Sequence, residues 1–170
     1  MVTAATWNRV PIFRGRSRLD YLADQLLDTL HESGWIVEAW VVFPNHYHFV
    51  ASSPEQGPTL GDALRRLHSN TARFANEGDA TPGRKVWFQF WDACIDFRAS
   101  WFARLHYVYA NPVKHGLVAE AEDYPWGCAA AWREELDRVA VAQIRSFKCD
   151  RLRIADDYPI SRECAGLPAL

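Results

Sequence analysis

The chain has 170 residues, of which 49% are hydrophobic and 24% charged, with a formal net charge of −2. That length buries a core without disulfide or metal staples, and the composition is ordinary for a soluble globular chain, so residues 1–170 are expected to form one domain. With no apolar run near ~18 residues and no signal-peptide pattern in Met1–Trp7, a membrane span is excluded and a cytoplasmic location is expected. Cys94, Cys128, Cys149 and Cys164 are irregularly spaced without a Cys-x-x-Cys, which predicts free buried thiols and argues against a zinc cluster. Between Gly61 and Val118 there are eight Lys/Arg against five Asp/Glu. This local excess suits phosphate binding and a solvated face equally well.

Residues 1–16 read as irregular or as one short strand, and Pro11 confines any strand at Val10–Phe13 to an edge. Ser17 and Asp20 have capping-box spacing, Leu19, Leu22, Leu26, Leu27 and Leu30 recur at helical intervals, and Gly34 ends that helix. Trp35–Phe43 is β-branched and aromatic, Pro44-Asn45 makes a turn, and His46–Ser52 is a second strand. Thr59 and Asp62 cap a helix over residues 60–77 with Leu60, Leu64, Leu67, Thr71 and Phe74 on its buried stripe. Lys85–Trp91 is a strand whose aromatics belong in the core, as most aromatics do. A third helix runs from about Arg98 to Ala110 and stops before Asn111-Pro112, with Phe97, Trp101, Leu105 and Val108 as its apolar stripe. Cys128–Val141 is one short acidic helix, and the last thirty residues show no periodicity. The strands lie too close in sequence for parallel crossovers, which predicts an α+β fold with an antiparallel sheet and helices on one face.

The chemistry-bearing residues begin with His46 and His48. On an extended chain alternate side chains share a face, so the two imidazoles point one way and Tyr47 and Phe49 the other. Two histidines on one strand face are either half of a divalent-metal site or a partly exposed pair on a sheet. Tyr107 lies about 200° around its helix from Leu105, beside Ala103, Arg104 and Asn111 on a polar, open face, whereas Tyr109 lies nearer Phe102 and Leu105 and is the core tyrosine. Asn111, four residues after Tyr107, is on the same helix face and is placed to be a third ligand. A tyrosine hydroxyl beside a Lewis-acid cation such as Mg²⁺ or Mn²⁺ is set up to attack a phosphodiester. Arg65, Arg66 and Arg73, together with Lys85, Arg104, Lys114 and His115, are candidate phosphate contacts. His68 and His106 read as ordinary surface or half-buried histidines, as does His115 if it makes no such contact.

Pro44–Phe49, Gly83–Gln89, Tyr107–Val118 and Asp123–Trp126 together resemble, in order and spacing, the single-tyrosine transposases with a histidine–hydrophobic–histidine motif, most of all the REP-associated tyrosine transposases of bacteria. The resemblance covers roughly residues 20–130 and leaves 140–170 as a C-terminal extension without an assigned role. It implies a ferredoxin-like fold with the histidine pair on a central strand of the sheet and metal-dependent cleavage and rejoining of single-stranded, hairpin-forming palindromic DNA through a 5′-phosphotyrosine. His46, His48 and Asn111 would hold the metal and Tyr107 would be the nucleophile, in a nucleoid-associated monomer or homodimer. The family pattern has histidine where this chain has Tyr109. Two other readings compete: a hairpin DNA or RNA-binding module on the same fold with its chemistry lost, and a metal-dependent hydrolase of small molecules that forms no covalent intermediate.

Overall fold

Four strands form one antiparallel sheet in the order β2-β3-β1-β4, with β1 Val2–Thr6, β2 Ile36–Val42, β3 His46–Ser52 and β4 Trp87–Asp92. The computed structural model describes residues 1–154 and 156–168. Helix α1 Arg16–Glu32 joins β1 to β2 and α2 Leu60–Gly78 joins β3 to β4, which is the βαββαβ order of the ferredoxin-like fold. Helix α3 Arg98–Lys114 follows, then α4 Cys128–Glu135 and α5 Arg138–Ser146.

The two faces of β3 organise the layers. Tyr47 points at α2, its hydroxyl 2.8 Å from His68 Nε2, and with Phe49 it joins the core under α1 and α2. His48 points the other way, its ring edge-on to Tyr107 of α3 at 5.4 Å between centroids. Helices α1 and α2 therefore cover one face as expected, and α3 with the C-terminal segment adds a layer on the other. The histidine pair is sandwiched between sheet and α3 rather than displayed on an outer surface.

Strand β1 was the element least visible in sequence. It is central, pairing β3 on one side and β4 on the other, and all five of its residues are buried. A strand covered on both faces has no polar alternation to mark it. Its small side chains matter to the site, because Ala5 lies opposite His46 and Thr3 opposite His48, leaving room for both imidazoles. Val10–Phe13 forms no strand; it is tied instead by the Phe13 N–H donating to Pro44 O at 2.9 Å.

The start of α1 departs from its expected cap. Gly15, at φ 78°, occupies the N-cap, no side chain caps the helix, and Asp20 instead accepts from Trp126 Nε1 at 2.7 Å. At the other helix the expected cap forms, with Thr59 Oγ1 accepting from the Asp62 N–H at 3.2 Å. Helix α3 does not stop at Ala110. It continues through Pro112 to Lys114, and the next turn is closed by His115 N–H donating to Asn111 O at 3.0 Å. Pro112 forfeits one helical hydrogen bond, but Asn111 and Pro112 are both buried, and tertiary packing overrides the local preference. As a consequence residues 107, 111 and 114 stay on one helix with His115 as its C-cap, and four- and seven-residue spacings put them on one face.

Several packing expectations also change. Phe97 is exposed rather than on the α3 stripe, and in β4 only Trp87 is buried, with Phe90 half-buried and Phe88 and Trp91 exposed. The single helix expected over Cys128–Val141 is two, separated at Leu136-Asp137, where the Asp137 carboxylate accepts from Val139 N–H and caps α5. All four cysteines are free thiols, but only Cys128 is buried; Cys94 is exposed. No described helix is long and apolar enough to cross a membrane.

Candidate active site

One carboxylate gathers the site. Asp156, from the unpatterned C-terminal segment, projects between β3 and α3 with a side chain only 1% exposed. Its Oδ1 lies 3.3 Å from His46 Nε2, 3.3 Å from His48 Nε2 and 3.0 Å from His115 Nε2. Its Oδ2 accepts from the Tyr107 hydroxyl at 2.5 Å, from Asn111 Nδ2 at 2.9 Å and from Lys114 Nζ at 2.7 Å. Residues from β3, α3 and the turn after α3 thus converge on a volume the size of a single anion.

The hydrogen bonds behind the histidines set their chemistry. Asn45 Nδ2 donates to two backbone carbonyls, Arg9 O and Pro159 O, each at 3.2 Å. That fixes the amide orientation and leaves Asn45 Oδ1 facing His46 Nδ1 at 2.8 Å. Nδ1 must therefore carry the proton and Nε2 the lone pair. Burial pushes the His46 pKa down to about 3, so the ring is neutral. Its Nε2 has no hydrogen-bond partner among the described residues, and its 3.3 Å approach to Asp156 brings two acceptors together rather than making a hydrogen bond. A lone pair facing a carboxylate in a dry site calls for a cation between them. His48 Nδ1 is 2.7 Å from Thr3 Oγ1, whose rotatable hydroxyl serves either tautomer, and burial lowers this pKa too.

Burial disfavours the Asp156 anion, but the hydrogen bonds from His115 and His48 outweigh it and hold the carboxyl well below the usual carboxylate range. The same geometry works on Tyr107. Burial first, and then the hydrogen bond to Asp156, raise its phenol far above the ordinary value. Tyr107 is 5% exposed, so the open face expected for it is closed, and the C-terminal segment is what closes it. Tyr109 is buried as expected, but it belongs elsewhere: its hydroxyl donates to Glu122 at 2.5 Å and its ring stacks on Trp132.

The pair His46 and His48, the α3 residues Tyr107, Asn111 and Lys114, and the α3 C-cap His115 are all brought together. Ligand atoms of His46, His115 and Asp156 lie within 4.8 Å of one another, which makes a possible His/Asp metal site. His115, read as peripheral in sequence, is inside. Arg104 is on the same helix toward its start, lining a groove with Thr3, Trp91 and Arg153. Lys85 sits over the Trp7 ring at 3.6 Å. Arg65 pairs with Asp62 and Arg66 with Glu32, while Arg73 reaches Asn70 Oδ1 at 3.4 Å. All three are on α2, on the other side of the sheet from the histidines. Asp156 itself escaped the sequence reading. Its one signal is that Asp157-Tyr158-Pro159 repeats Asp123-Tyr124-Pro125, and both tyrosines pack on the β2–β3 turn, Tyr124 against Phe43 and Tyr158 against His46.

Buried neutral histidines make stability pH-dependent. His46 resists protonation to about 3 and His68 to about 4, both chiefly through burial, whereas unfolded imidazoles protonate near 6.5. In that window the unfolded chain binds more protons, so stability falls as pH drops below about 6.5. In scanning calorimetry the Tm is expected to decline from pH 7 to pH 4. It should decline less steeply in His68→Gln, whose amide can still meet the Tyr47 hydroxyl; parallel slopes would remove His68 from the account.

A four-stranded sheet of ferredoxin-like topology, with two histidines on a central strand and a tyrosine from a packed helix converging on one carboxylate, defines an α+β protein with a possible His/Asp metal site between its sheet and α3. No family model matches the sequence. A REP-associated tyrosine transposase of Escherichia coli (strain K12) is 29% identical over 91 residues, which is 53% of this chain and 52% of that protein, so the match spans about half the relative's length. A solved structure of a REP-associated tyrosine transposase bound to a REP hairpin has a TM-score of 0.64 to this chain at 20% identity, covering 79% of this chain and 78% of that one. The chain is therefore similar to REP-associated tyrosine transposases, and it shares their fold.

Proposed function

We propose that this chain is a metal-dependent single-stranded DNA transesterase that cleaves and rejoins hairpin-forming repeat DNA through a 5′-phosphotyrosine on Tyr107. The observation that carries the reading is the single carboxylate touched by the His pair, the Tyr107 hydroxyl, Asn111 and Lys114. A nucleophile, cation ligands and a lysine sharing one anion position is the arrangement a phosphodiester needs. The hairpin itself comes from the related transposase, whose structure holds one.

His46, His48 and Asn111 would hold a divalent cation, Mg²⁺ or Mn²⁺. The residues fit it: His46 Nε2 and Asn111 Oδ1 are buried acceptors without a partner among the described residues. When bound, the ion withdraws charge from the scissile phosphate. Lys114 and His115 hold phosphate oxygens in place of Asp156. The Tyr107 oxygen attacks phosphorus and its proton passes to water; the bond to the 3′ oxygen breaks, and that oxygen leaves as a hydroxyl after taking up a proton. The 5′ side stays on Tyr107 until another 3′ hydroxyl reverses the step. Arg104 and Lys85 lie on the approach to this face, so they would contact flanking phosphates. From the far side of the sheet, Arg65, Arg66 and Arg73 would reach a part of the hairpin away from the scissile bond.

The test is a denaturing gel of labelled single-stranded hairpin DNA incubated with protein and Mg²⁺ or Mn²⁺, with a chelator lane beside it. A slow-migrating, protease-sensitive species that needs the metal is expected. Turnover without any such species would favour a hydrolase.

Asp156 favours a second reading, since it fills the site. A phosphate cannot approach Tyr107 while the carboxylate is 2.5 Å from its hydroxyl. The anion must leave first, against three hydrogen bonds to Oδ2. Asp156→Ala is expected to raise the rate of adduct formation by about tenfold, because a binding-competent state that is rarely populated reduces the apparent rate by that fraction. A fall would make Asp156 a participant in the chemistry. If neither wild type nor Asp156→Ala forms an adduct, the chain is a hairpin-binding module.

A further inference from the structure

The edge of the sheet beside this site carries large aromatic rings that the core does not use. Trp7, Phe88 and Trp91 are 36%, 46% and 42% exposed. They follow one another, with ring centroids 5.4 Å apart from Trp7 to Phe88 and 6.1 Å from Phe88 to Trp91. The turn that follows Trp7 has an unusual backbone. Asn8 and Arg9 both have positive φ, at 54° and 58°, and Arg9 is a residue that rarely adopts it.

The row runs into the catalytic face from two directions. One groove, about 260 Å³, is lined by Trp7, Arg9, Phe88, Trp91 and Tyr158. Tyr158 packs on His46 at 4.4 Å between centroids. A second groove takes in Trp91, Arg104, Arg153 and Thr3. Thr3 lies across the ladder from Trp91 and bonds His48. Trp91 is common to both, so the rings form a track along β4 that ends beside each histidine.

Cations accompany the rings. Lys85 Nζ is 3.6 Å from the Trp7 centroid, Arg9 lies over Tyr158 at 5.2 Å, and Arg104 and Arg153 line the far end. Two acids are present, Asp157 paired with Arg9 and Asp92 in the second groove. Exposed aromatic rings, each tilted to its neighbour at 54° and 51° so that they offer separate faces, flanked by cations and leading to a phosphodiester site, are the pattern on which unpaired nucleotides stack. An apolar protein partner would have no use for the lysine and arginines.

We infer that Trp7, Phe88 and Trp91 form a stacking track for the unpaired nucleotides that flank the hairpin stem, with Lys85, Arg9, Arg104 and Arg153 along their phosphates. This rests on the reading of the chain as a hairpin-DNA transesterase, and it deepens it by assigning the single-stranded part of the substrate. The track would feed the strand past His46 and His48 and set which phosphate meets Tyr107.

Fluorescence anisotropy with three labelled DNAs tests it: a blunt hairpin, the same hairpin carrying a short unpaired flank, and an unpaired oligonucleotide of the flank sequence, each titrated with wild type, Phe88→Ala and Trp91→Ala. Wild type should bind the flanked hairpin more tightly. Each substitution should cost about tenfold on the flanked DNA and leave the blunt hairpin unchanged, since stacking is worth that much per base. Both rings are exposed, so the variants are expected to fold, which their Tm verifies. Equal binding of blunt and flanked DNA by wild type, or a flank advantage that survives both substitutions, overturns the track and leaves the hairpin reading standing. No hairpin binding, with ring-dependent binding of an unpaired oligonucleotide, supports the track and removes the hairpin. A ring-dependent change in oligomeric state without any change in DNA affinity would make the row a contact for a second copy, and would overturn the proposal.

Discussion

Tyr107→Phe is expected to abolish the covalent protein–DNA species while leaving the protein folded and able to bind hairpin DNA. The substitution removes one oxygen. The ring that packs edge-on against His48 and lies under Lys114 stays in place. Asp156 Oδ2 loses the phenol but keeps Asn111 and Lys114, so the stability change should be about 1 kcal/mol, the net worth of one hydrogen bond. The rate should fall by about 10⁴-fold or more, as when a nucleophile is deleted. Tyr109, the neighbouring tyrosine on α3, is not placed to take over. The Tyr109 hydroxyl is committed to Glu122 and its ring to Trp132, and Tyr158 presents its ring to His46. An adduct that persisted in Tyr107→Phe would remove Tyr107 from its role, and peptide mapping of the linked residue would name its replacement.

What could be read in the sequence and what could not divide along physical lines. Strand β3 was legible because period-two alternation is local: His46 and His48 had to share a face once the run was extended. The Tyr107–Asn111 relation was legible for the same reason on a helix. Strand β1 was hidden because Val2–Thr6 is buried on both faces and rich in alanine, so neither alternation nor propensity marks it. Pro112 misled because the local preference against a helix before proline was weaker than the burial of Asn111 and Pro112. Without that last turn Lys114 and His115 would not face the histidines. Asp156 had only the neighbouring Asp157-Tyr158-Pro159 repeat to mark it. Its partners lie as far as 108 residues away in the chain, and a buried charge held by distant groups leaves no periodic trace. The site is thus half local pattern and half long-range assembly, and the assembled half is what covers Tyr107.

His46→Gln is expected to reduce metal-dependent cleavage by about 10³-fold in both Mg²⁺ and Mn²⁺. Losing the Lewis acid removes several kcal/mol of charge stabilisation, and each 1.36 kcal/mol is tenfold in rate. Glutamine keeps most of the volume of a fully buried side chain and can still donate to Asn45, so the fold should survive. What it lacks is the neutral ring nitrogen that faces Asp156 with a lone pair. The neighbouring Asn45→Ala provides the graded comparison. It leaves His46 in place but releases the bond that keeps the proton on Nδ1, and losses of this kind weaken metal binding by about 10- to 100-fold. Manganese titration by calorimetry separates the two effects from catalysis. Affinity should fall partway in Asn45→Ala and furthest in His46→Gln, and raising the Mn²⁺ concentration should restore cleavage in the first variant but not in the second. If both variants bound manganese like wild type, the cation would sit elsewhere and the lone pair facing Asp156 would need another explanation.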